Sequence, residues 1–461
     1  MDRREKYYFL GIGGIGMSAL ARYLNFLGAE VGGYDRTKSP LTIALEQEGI
    51  AINYEDKAEN VPEDVDLVVF TPAIPENSEQ MQRVKALQLP LLKRSQLLGK
   101  ITENKKVLAV AGTHGKTTTC GMIAHILSCS SVGCSAFLGG ILKSRQSNFF
   151  YNANSDYVVV EADEYDRSFL NLKPFASVVT SIDPDHLDIY HNYSNLHKAF
   201  EDFAMLTNKD GMFLVKSARS EMRELMHDKC FTQTYSLSDA NASCKVENVR
   251  VEEGTYFFDY CDNDFILKNI EMNYPGRHNI ENMLAAIAVC NFVMKKESLS
   301  IEQREKAIRE GVRTFSGMQR RLDYILKDEK HIFIDDYAHH PEEISATISS
   351  LREMYPTKHF TGVFQPHLYS RTKDLAEGFA KSLDLLDTAI LLPIYPAREL
   401  PIEGVSSEMI VEQMHLQDKH CVAKQELYSL LQTINPEFLI TFGAGDIDRM
   451  LQEIAKTLQQ L

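Results

Sequence analysis

The chain has 461 residues, 44% apolar and 25% charged, with a formal net charge of -15. That length is too great for one compact core and predicts two or three domains. The acidic balance excludes nucleic acid or an anionic membrane as the main partner, while a local basic pocket for phosphate stays compatible with it.

The N-terminal stretch MDRREKYYFLGIGGIGMSALA has a charged start and then an apolar run, as a signal peptide would. Glycines interrupt the run and lead into a patterned fold instead of a cleavage site. No apolar run approaches the ~18 residues that span a bilayer, so a cytoplasmic protein is expected. Eight cysteines without a C-x-x-C pair read as free thiols of a reducing compartment.

The same stretch matches G-x-G-x-x-G through Gly11, Gly13 and Gly16, and Asp35 follows 19 residues after Gly16. This is the dinucleotide fingerprint, and taken alone it predicts NAD. A nucleotide-sugar diphosphate would satisfy it equally well. From here the chain repeats one phrase, a short apolar run followed by an amphipathic segment. DLVVFTPA, VLAVAGTHG, YVVVEADE, SVVTSIDPDH, IFIDDYAHH, GVFQPH, AILLPIYPA and FLITFGAGD are later instances. Such alternation predicts parallel sheets with crossover helices and ligands beyond the carboxyl ends of the strands.

VAGTHGKTTTC supplies Gly115, Lys116 and Thr117 as the end of a phosphate loop, but Val110 stands where the earlier glycine is expected and Gly112 lies closer. The flanks read as buried strand and helix, which presents backbone N–H groups to phosphate. Lys116 would reach the outer phosphates and the Thr117 hydroxyl would meet Mg²⁺. The bland alternative is a plain βα turn. Glu161 closes the next buried strand, where a carboxylate is costly unless it meets a cation. Asp183, Asp185 and His186 end another. Those acids suit turns and caps as well as a metal, whereas Glu161 with His186 beside the loop favours the metal.

Between Lys216 and Met272 the phrase lapses. An antiparallel meander is expected there, with turns at Glu253-Gly254 and Asp262-Asn263. After Pro275-Gly276 a helix begins, and Asn279 and Asn282 share one face, either to read a purine edge or as solvated polar residues. IFIDDYAHHPEEI places Asp335, Asp336, Tyr337, His339 and His340 at a strand end, more than a helix cap needs, though in no named zinc pattern. FQPHLYSRTKDL adds His367, Arg371 and Thr372, with Arg371 suited to a carboxylate or phosphate, or to a surface ion pair. The polar stretch GKITENKKV and the region of RTFSGMQRRL mark boundaries. The expected fold is α/β with three domains over 1–101, 102–317 and 318–461, the middle one with a small antiparallel appendage.

In order and over nearly the whole chain, GIGGIGMSALA, GTHGKTTT, EADEYDRSFL, DPDHLDIY, PGRHNIENMLAA, MQRRLDYI, DDYAHHPEEI, QPHLYSRT and GAGDID resemble the Mur ligases of peptidoglycan synthesis. The family's loop is G-T-x-G-K-T-T, so the shortened loop is a type of its own. The resemblance implies Rossmann-like outer domains around a P-loop ATPase-like centre. It implies an enzyme that ligates L-alanine to the carboxylate of UDP-N-acetylmuramate through an acyl phosphate, using ATP and Mg²⁺. Gly112, Thr113, His114, Gly115, Lys116, Thr117 and Thr118 would bind the ATP phosphates. Thr117, Glu161 and His186 would serve Mg²⁺. His278, Asn279 and Asn282 would lie along the adenine, and Arg321 and Asp336 would close over the nucleotide. Gly11, Gly13, Gly14, Gly16, Asp35 and Thr71 would belong to the UDP end of the sugar substrate. Tyr337, His339 and Arg371 would gather the alanine and the acyl end. The chemistry itself asks for a base near neutral pH to take the amine proton, and His339 is the residue expected there; Lys116, Asp336, His339 and Arg371 make up the expected catalytic set.

Two departures stand out. Leu368 occupies the place of an arginine expected after QPH, and Phe200 the place where several relatives carry a carbamylated lysine, with Lys198 two positions short. The sister ligase that attaches a recycled tripeptide to the same sugar, an NAD-dependent oxidoreductase, and a noncatalytic nucleotide-binding module are the competing readings. EADEYDRSFL and DPDHLDIY favour alanine. A monomer or weak homodimer is expected.

Overall fold

The computed structural model describes residues 4–183, 187–397 and 399–461. Among these residues the apolar runs form three sheets. The first holds β1 (Lys6–Leu10), β2 (Glu30–Tyr34), β3 (Ala51–Asn53), β4 (Leu67–Phe70) and β5 (Leu91–Lys93), all parallel, in the order β3-β2-β1-β4-β5. The chain changes direction across the sheet at β1, which opens a crevice beyond the carboxyl ends of β1 and β4.

The second sheet holds β6 (Lys106–Ala111), β7 (Ser135–Leu142), β8 (Ser147–Phe150), β9 (Tyr157–Glu161), β10 (Pro174–Val179), β11 (Met212–Lys216), β12 (Phe231–Ser236), β13 (Cys244–Glu252), β14 (Thr255–Cys261) and β15 (Ile266–Met272). Its order is β15-β14-β13-β12-β11-β10-β6-β9-β7-β8. Val107 to Ala111 are all buried, as a parallel strand covered on both faces requires. β6 lies between β9 and β10, so the switch point falls where the chain leaves β6.

Two sequence expectations change here. The βα phrase does not lapse at Lys216: the helix Ser220–Met226 and β12 extend the parallel sheet, with Met222 and Met226 buried under it. The polar β12 sequence, FTQTYS, hid this strand. The strands β13 to β15 form the expected appendage as a continuation of the same sheet, with Glu253 and Gly254 both left-handed at the first hairpin turn. In the first presumed boundary, Gly99 to Thr102 are helical.

The third sheet holds β16 (Asp323–Lys327), β17 (Ile332–Asp336), β18 (Phe360–Phe364), β19 (Thr388–Leu391), β20 (Lys419–Cys421) and β21 (Phe438–Phe442). Its order is β16-β17-β21-β18-β19-β20, with β16 antiparallel to β17.

Three sheets make two compact units, Met1–Asn248 with Phe258–Ile270 and Glu281–Phe315, and Val249–Phe257 with Glu271–Ile280 and Ser316–Leu461. The first unit joins two sheets because the helix Ile15–Phe26 buries one face on β7 and β8. Tyr23 meets the Phe137, Phe149 and Tyr151 rings edge-on at 5.5, 5.9 and 6.0 Å. Asn148, fully buried on β8, accepts from Arg22 and donates to Ile15 O and to Ser18 Oγ at 2.9 Å. Arg22 also holds Glu48 through Nε. All eight cysteines are free thiols.

Asn148→Ala leaves the buried Arg22 and Ser18 groups short of a partner and is expected to lower stability by about 1–3 kcal/mol in urea unfolding. Because Arg22 shares that partner, Arg22→Met in the same chain should add less than its separate effect. Full additivity would show that the two residues do not act as one dock.

Candidate active site

The phosphate loop is shaped by two left-handed glycines. Gly112 has φ 134 and Gly115 φ 81. A Cβ on Gly112 would lie 2.0 Å from Thr180 Oγ1, and one on Gly115 2.6 Å from Asn282 Oδ1, so neither place admits a side chain. The end of β10 holds the loop down. Thr113 N donates to Ser181 O at 3.1 Å, and His114 N to Ser181 Oγ at 3.1 Å. Thr180 Oγ1 donates to the carbonyls of Ala111 and His114. The helix Lys116–Ser128 starts at Gly115, which has no side chain to cap the first turn, so its N–H groups face an incoming anion. Thr118 is buried behind them.

A short acidic segment after β9 meets this loop. Thr117 Oγ1 donates to Glu161 Oε2 at 2.8 Å. Lys116 Nζ donates to Gly112 O at 2.6 Å and to both Glu164 oxygens at 2.7 and 2.8 Å. Glu164 is fully buried, and Tyr190 donates its hydroxyl to the Glu164 carbonyl at 2.6 Å. Burial pushes the Glu164 carboxyl above the usual carboxylate range, against the pull of Lys116. Sequence reasoning missed Glu164. The available signal was a second acid three residues beyond Glu161, beside a lysine that needs a counter-charge.

Glu161 also faces a cleft of about 260 Å³ lined by Gly14, Gly16, Thr71, Arg94, Phe137 and Asp163, among others. The glycine motif of the first sheet and the phosphate-loop side of the second thus share one cavity. Arg94, also missed from sequence, packs over Gly16 and donates to Asp163 at 3.0 Å. Gly11 approaches Thr71 closely. Asp35 accepts from Gly13 N at 2.9 Å and Thr37 N at 3.0 Å, which holds the glycine loop in shape.

Thr117 and Glu161 provide two adjacent hard oxygen donors of the kind Mg²⁺ takes. Among the described residues no group of three His, Cys, Asp or Glu side chains stands ready to hold a metal. Asp185 and His186 lie outside the described residues. Asp183 is exposed and accepts from Thr113 Oγ1 at 3.1 Å. Phe200 is core, edge-on to Phe169 with centroids 5.3 Å apart, while Lys198 is exposed and pairs with Asp202 at 3.0 Å. A bridging lysine is therefore replaced by apolar packing at that place.

On the helix Arg277–Lys296, Asn279 is buried and donates to Pro275 O at 2.6 Å, closing the helix start, while His278 is exposed. Asn282 lies against Gly115.

In the second unit the strand-end residues differ in what they touch. Asp336 is buried and accepts from Leu322 N at 2.7 Å and Ala338 N at 2.8 Å, so its carboxylate shapes the backbone around Tyr337. Asp335 accepts from Thr441 Oγ1 at 2.6 Å and Arg320 Nε at 3.3 Å, and burial pushes its carboxyl up to about 6. The Arg320 and Arg321 guanidinium groups lie 5.1 and 5.2 Å from the Tyr337 ring centroid. His339 is edge-on to Tyr337 at 5.2 Å and to His367 at 6.4 Å. His367 stacks on Tyr395 and lies 3.4 Å from Arg371 Nη1. Leu368 takes φ 72, a strained conformation for its type, and its carbonyl accepts from Thr372 Oγ1. His340 is the N-cap of the helix Pro341–Met354, the bland role.

Three family models match in chain order: the Mur ligase family catalytic domain over residues 6–106, the Mur ligase middle domain over 110–290 and the Mur ligase glutamate ligase domain over 320–445. The chain belongs to the Mur ligase family. A UDP-N-acetylmuramate–L-alanine ligase of Parabacteroides distasonis is 43% identical over 98% of this chain and 96% of its own length. The Porphyromonas gingivalis protein of that name is 42% identical over 99% and 100%. The crystal structure of a UDP-N-acetylmuramate–alanine ligase from Thermotoga maritima superposes with TM-score 0.83 at 27% identity, covering 99% of each chain. A murein peptide ligase from Psychrobacter arcticus, 20% identical with TM-score 0.67 over 99% of each chain, shares the fold.

In this Mur ligase, burial holds the His339 imidazole below its ordinary 6.5, with Glu343 pulling the other way and Arg371 and Arg321 adding to the effect. The folded chain thus favours the neutral ring. Its contribution to stability is present above 6.5 and is lost as pH falls through the lowered value. The His339 ring resonances should titrate with a midpoint below 6.5, and Glu343→Gln should move that midpoint further down. A midpoint at or above the ordinary value would contradict this environment.

Proposed function

We propose that this Mur ligase joins L-alanine to the carboxylate of UDP-N-acetylmuramate, converting ATP to ADP and phosphate, in cytoplasmic peptidoglycan precursor synthesis. One observation carries the reading. Glu161 lines the cleft of the glycine motif and accepts from Thr117 of the phosphate loop at 2.8 Å, so a sugar nucleotide and a triphosphate would meet at one carboxylate. The full-length likeness to alanine ligases supports alanine over the recycled tripeptide. The glycine motif serves a sugar diphosphate in this reading, and NAD is not needed. Among the described residues no helix is long and apolar enough to cross a membrane. The enzyme works as a monomer or weak homodimer.

A carboxylate is a poor acyl donor, so it is first phosphorylated, and the alanine amine then attacks the acyl phosphate. Lys116 and the first-turn N–H groups offset the phosphate charge. Thr117 and Glu161 would hold Mg²⁺, with His186 as a third ligand; the bound ion would neutralise phosphate oxygens. Arg94 and the glycine loop orient the sugar diphosphate. In the second unit Tyr337 and Arg371 position the amino acid, and neutral His339 takes the amine proton.

Phosphate release from ATP and Mg²⁺ with UDP-N-acetylmuramate should depend on L-alanine. Lys116→Ala should lower the turnover by ~10²–10³. No release from the folded wild-type chain would sink the reading and return the glycine motif to the oxidoreductase.

A further inference from the structure

An ammonium group has three N–H donors. In this structure those of Lys116 meet three acceptors, Gly112 O at 2.6 Å and the two Glu164 oxygens at 2.7 and 2.8 Å. A nucleotide phosphate can gain Lys116 when one of these contacts is given up. Gly112 O belongs to the loop itself. Glu164 lies on a different segment and is the partner that can yield.

That segment is built around cation pairing. Asp163 holds Arg94 at 3.0 Å and Asp166 holds Lys93 at 2.7 Å, both on the glycine-motif side of the cleft. Asp166 and Arg167 are two successive left-handed residues, φ 53 and 52, a costly backbone for their types. Glu164 itself is fully buried, so it gains by pairing with Lys116 what it lacks from water.

We propose that Glu164 is a positioning residue of this ligase: its carboxylate holds the Lys116 ammonium at the phosphate loop and hands it over when nucleotide phosphate arrives. The proposal rests on the reading of Lys116 as a phosphate ligand. Glu164 and nucleotide compete for one cation, and the competition sets nucleotide affinity.

The test is calorimetric titration of the full chain with Mg-ADP, alongside thermal melting without nucleotide. Glu164→Gln should lower the melting midpoint, because one partner of a buried pair is gone. It should also bind Mg-ADP roughly three- to tenfold tighter, because the competitor is gone. In a Lys116→Ala background the gain from Glu164→Gln should vanish. Glu164→Asp, a shorter acid that must release at least one contact, should move affinity the same way by less, and serves if the glutamine variant does not fold. Unchanged or weaker binding by the folded Glu164→Gln chain would overturn the proposal. So would a gain that persists without Lys116, which is the mark of a general charge effect. A wild-type chain that binds no Mg-ADP would instead overturn the ligase reading, and the proposal with it.

Discussion

A side chain at position 112 would put its Cβ 2.0 Å from the Thr180 hydroxyl. The close passage of the Gly112–Gly115 turn over the end of β10 is the constraint on which the first unit depends. It lets the chain leave β6 at the switch point, fold back against Ser181, and start a helix whose first turn has no side-chain cap. Lys116 and Thr117 are carried to fixed places by that turn. Each then finds its acid, Glu164 or Glu161, at the carboxyl end of the neighbouring strand. The site is thus a consequence of β6 lying between β9 and β10.

The same logic recurs in the other sheets. Gly11 to Gly16 and Thr71 follow β1 and β4, Asp336 closes β17, and His367 and Gly443 follow β18 and β21. What joins the first two is the acidic run from Glu161 to Asp166, which pairs alternately with the phosphate loop and with the cations beside the glycine motif. The Arg22–Asn148 dock holds the helix of the glycine motif to β8, so this cleft exists as part of one compact unit.

Much of this was legible in the chain itself. Buried parallel strands write themselves as short β-branched runs, and left-handed turns as glycines, so the three sheets and both loops could be placed by pattern. The ordered motifs carried the family. Glu164 and Arg94 were not legible, because an ion pair depends on which strands are neighbours, and sequence spacing does not hold that information. β12 was hidden for a different reason: its threonines and glutamine pair in the sheet without an apolar run to announce them. Asp336 showed its position but not its work, since the two backbone N–H groups it accepts from come from loops folded around it. Phe200 was visible as a departure, and the structure supplies the reason, a ring packed into the core.

One carboxylate, Glu161, is common to the glycine-motif cleft and the phosphate loop. The most direct measurement is the mass of the product formed from UDP-N-acetylmuramate and ATP when L-alanine and the recycled tripeptide are offered together in equal amount. The expected product is heavier than the sugar nucleotide by one alanyl residue. A tripeptide adduct as the main product, or an unchanged sugar nucleotide beside consumed ATP, would contradict it.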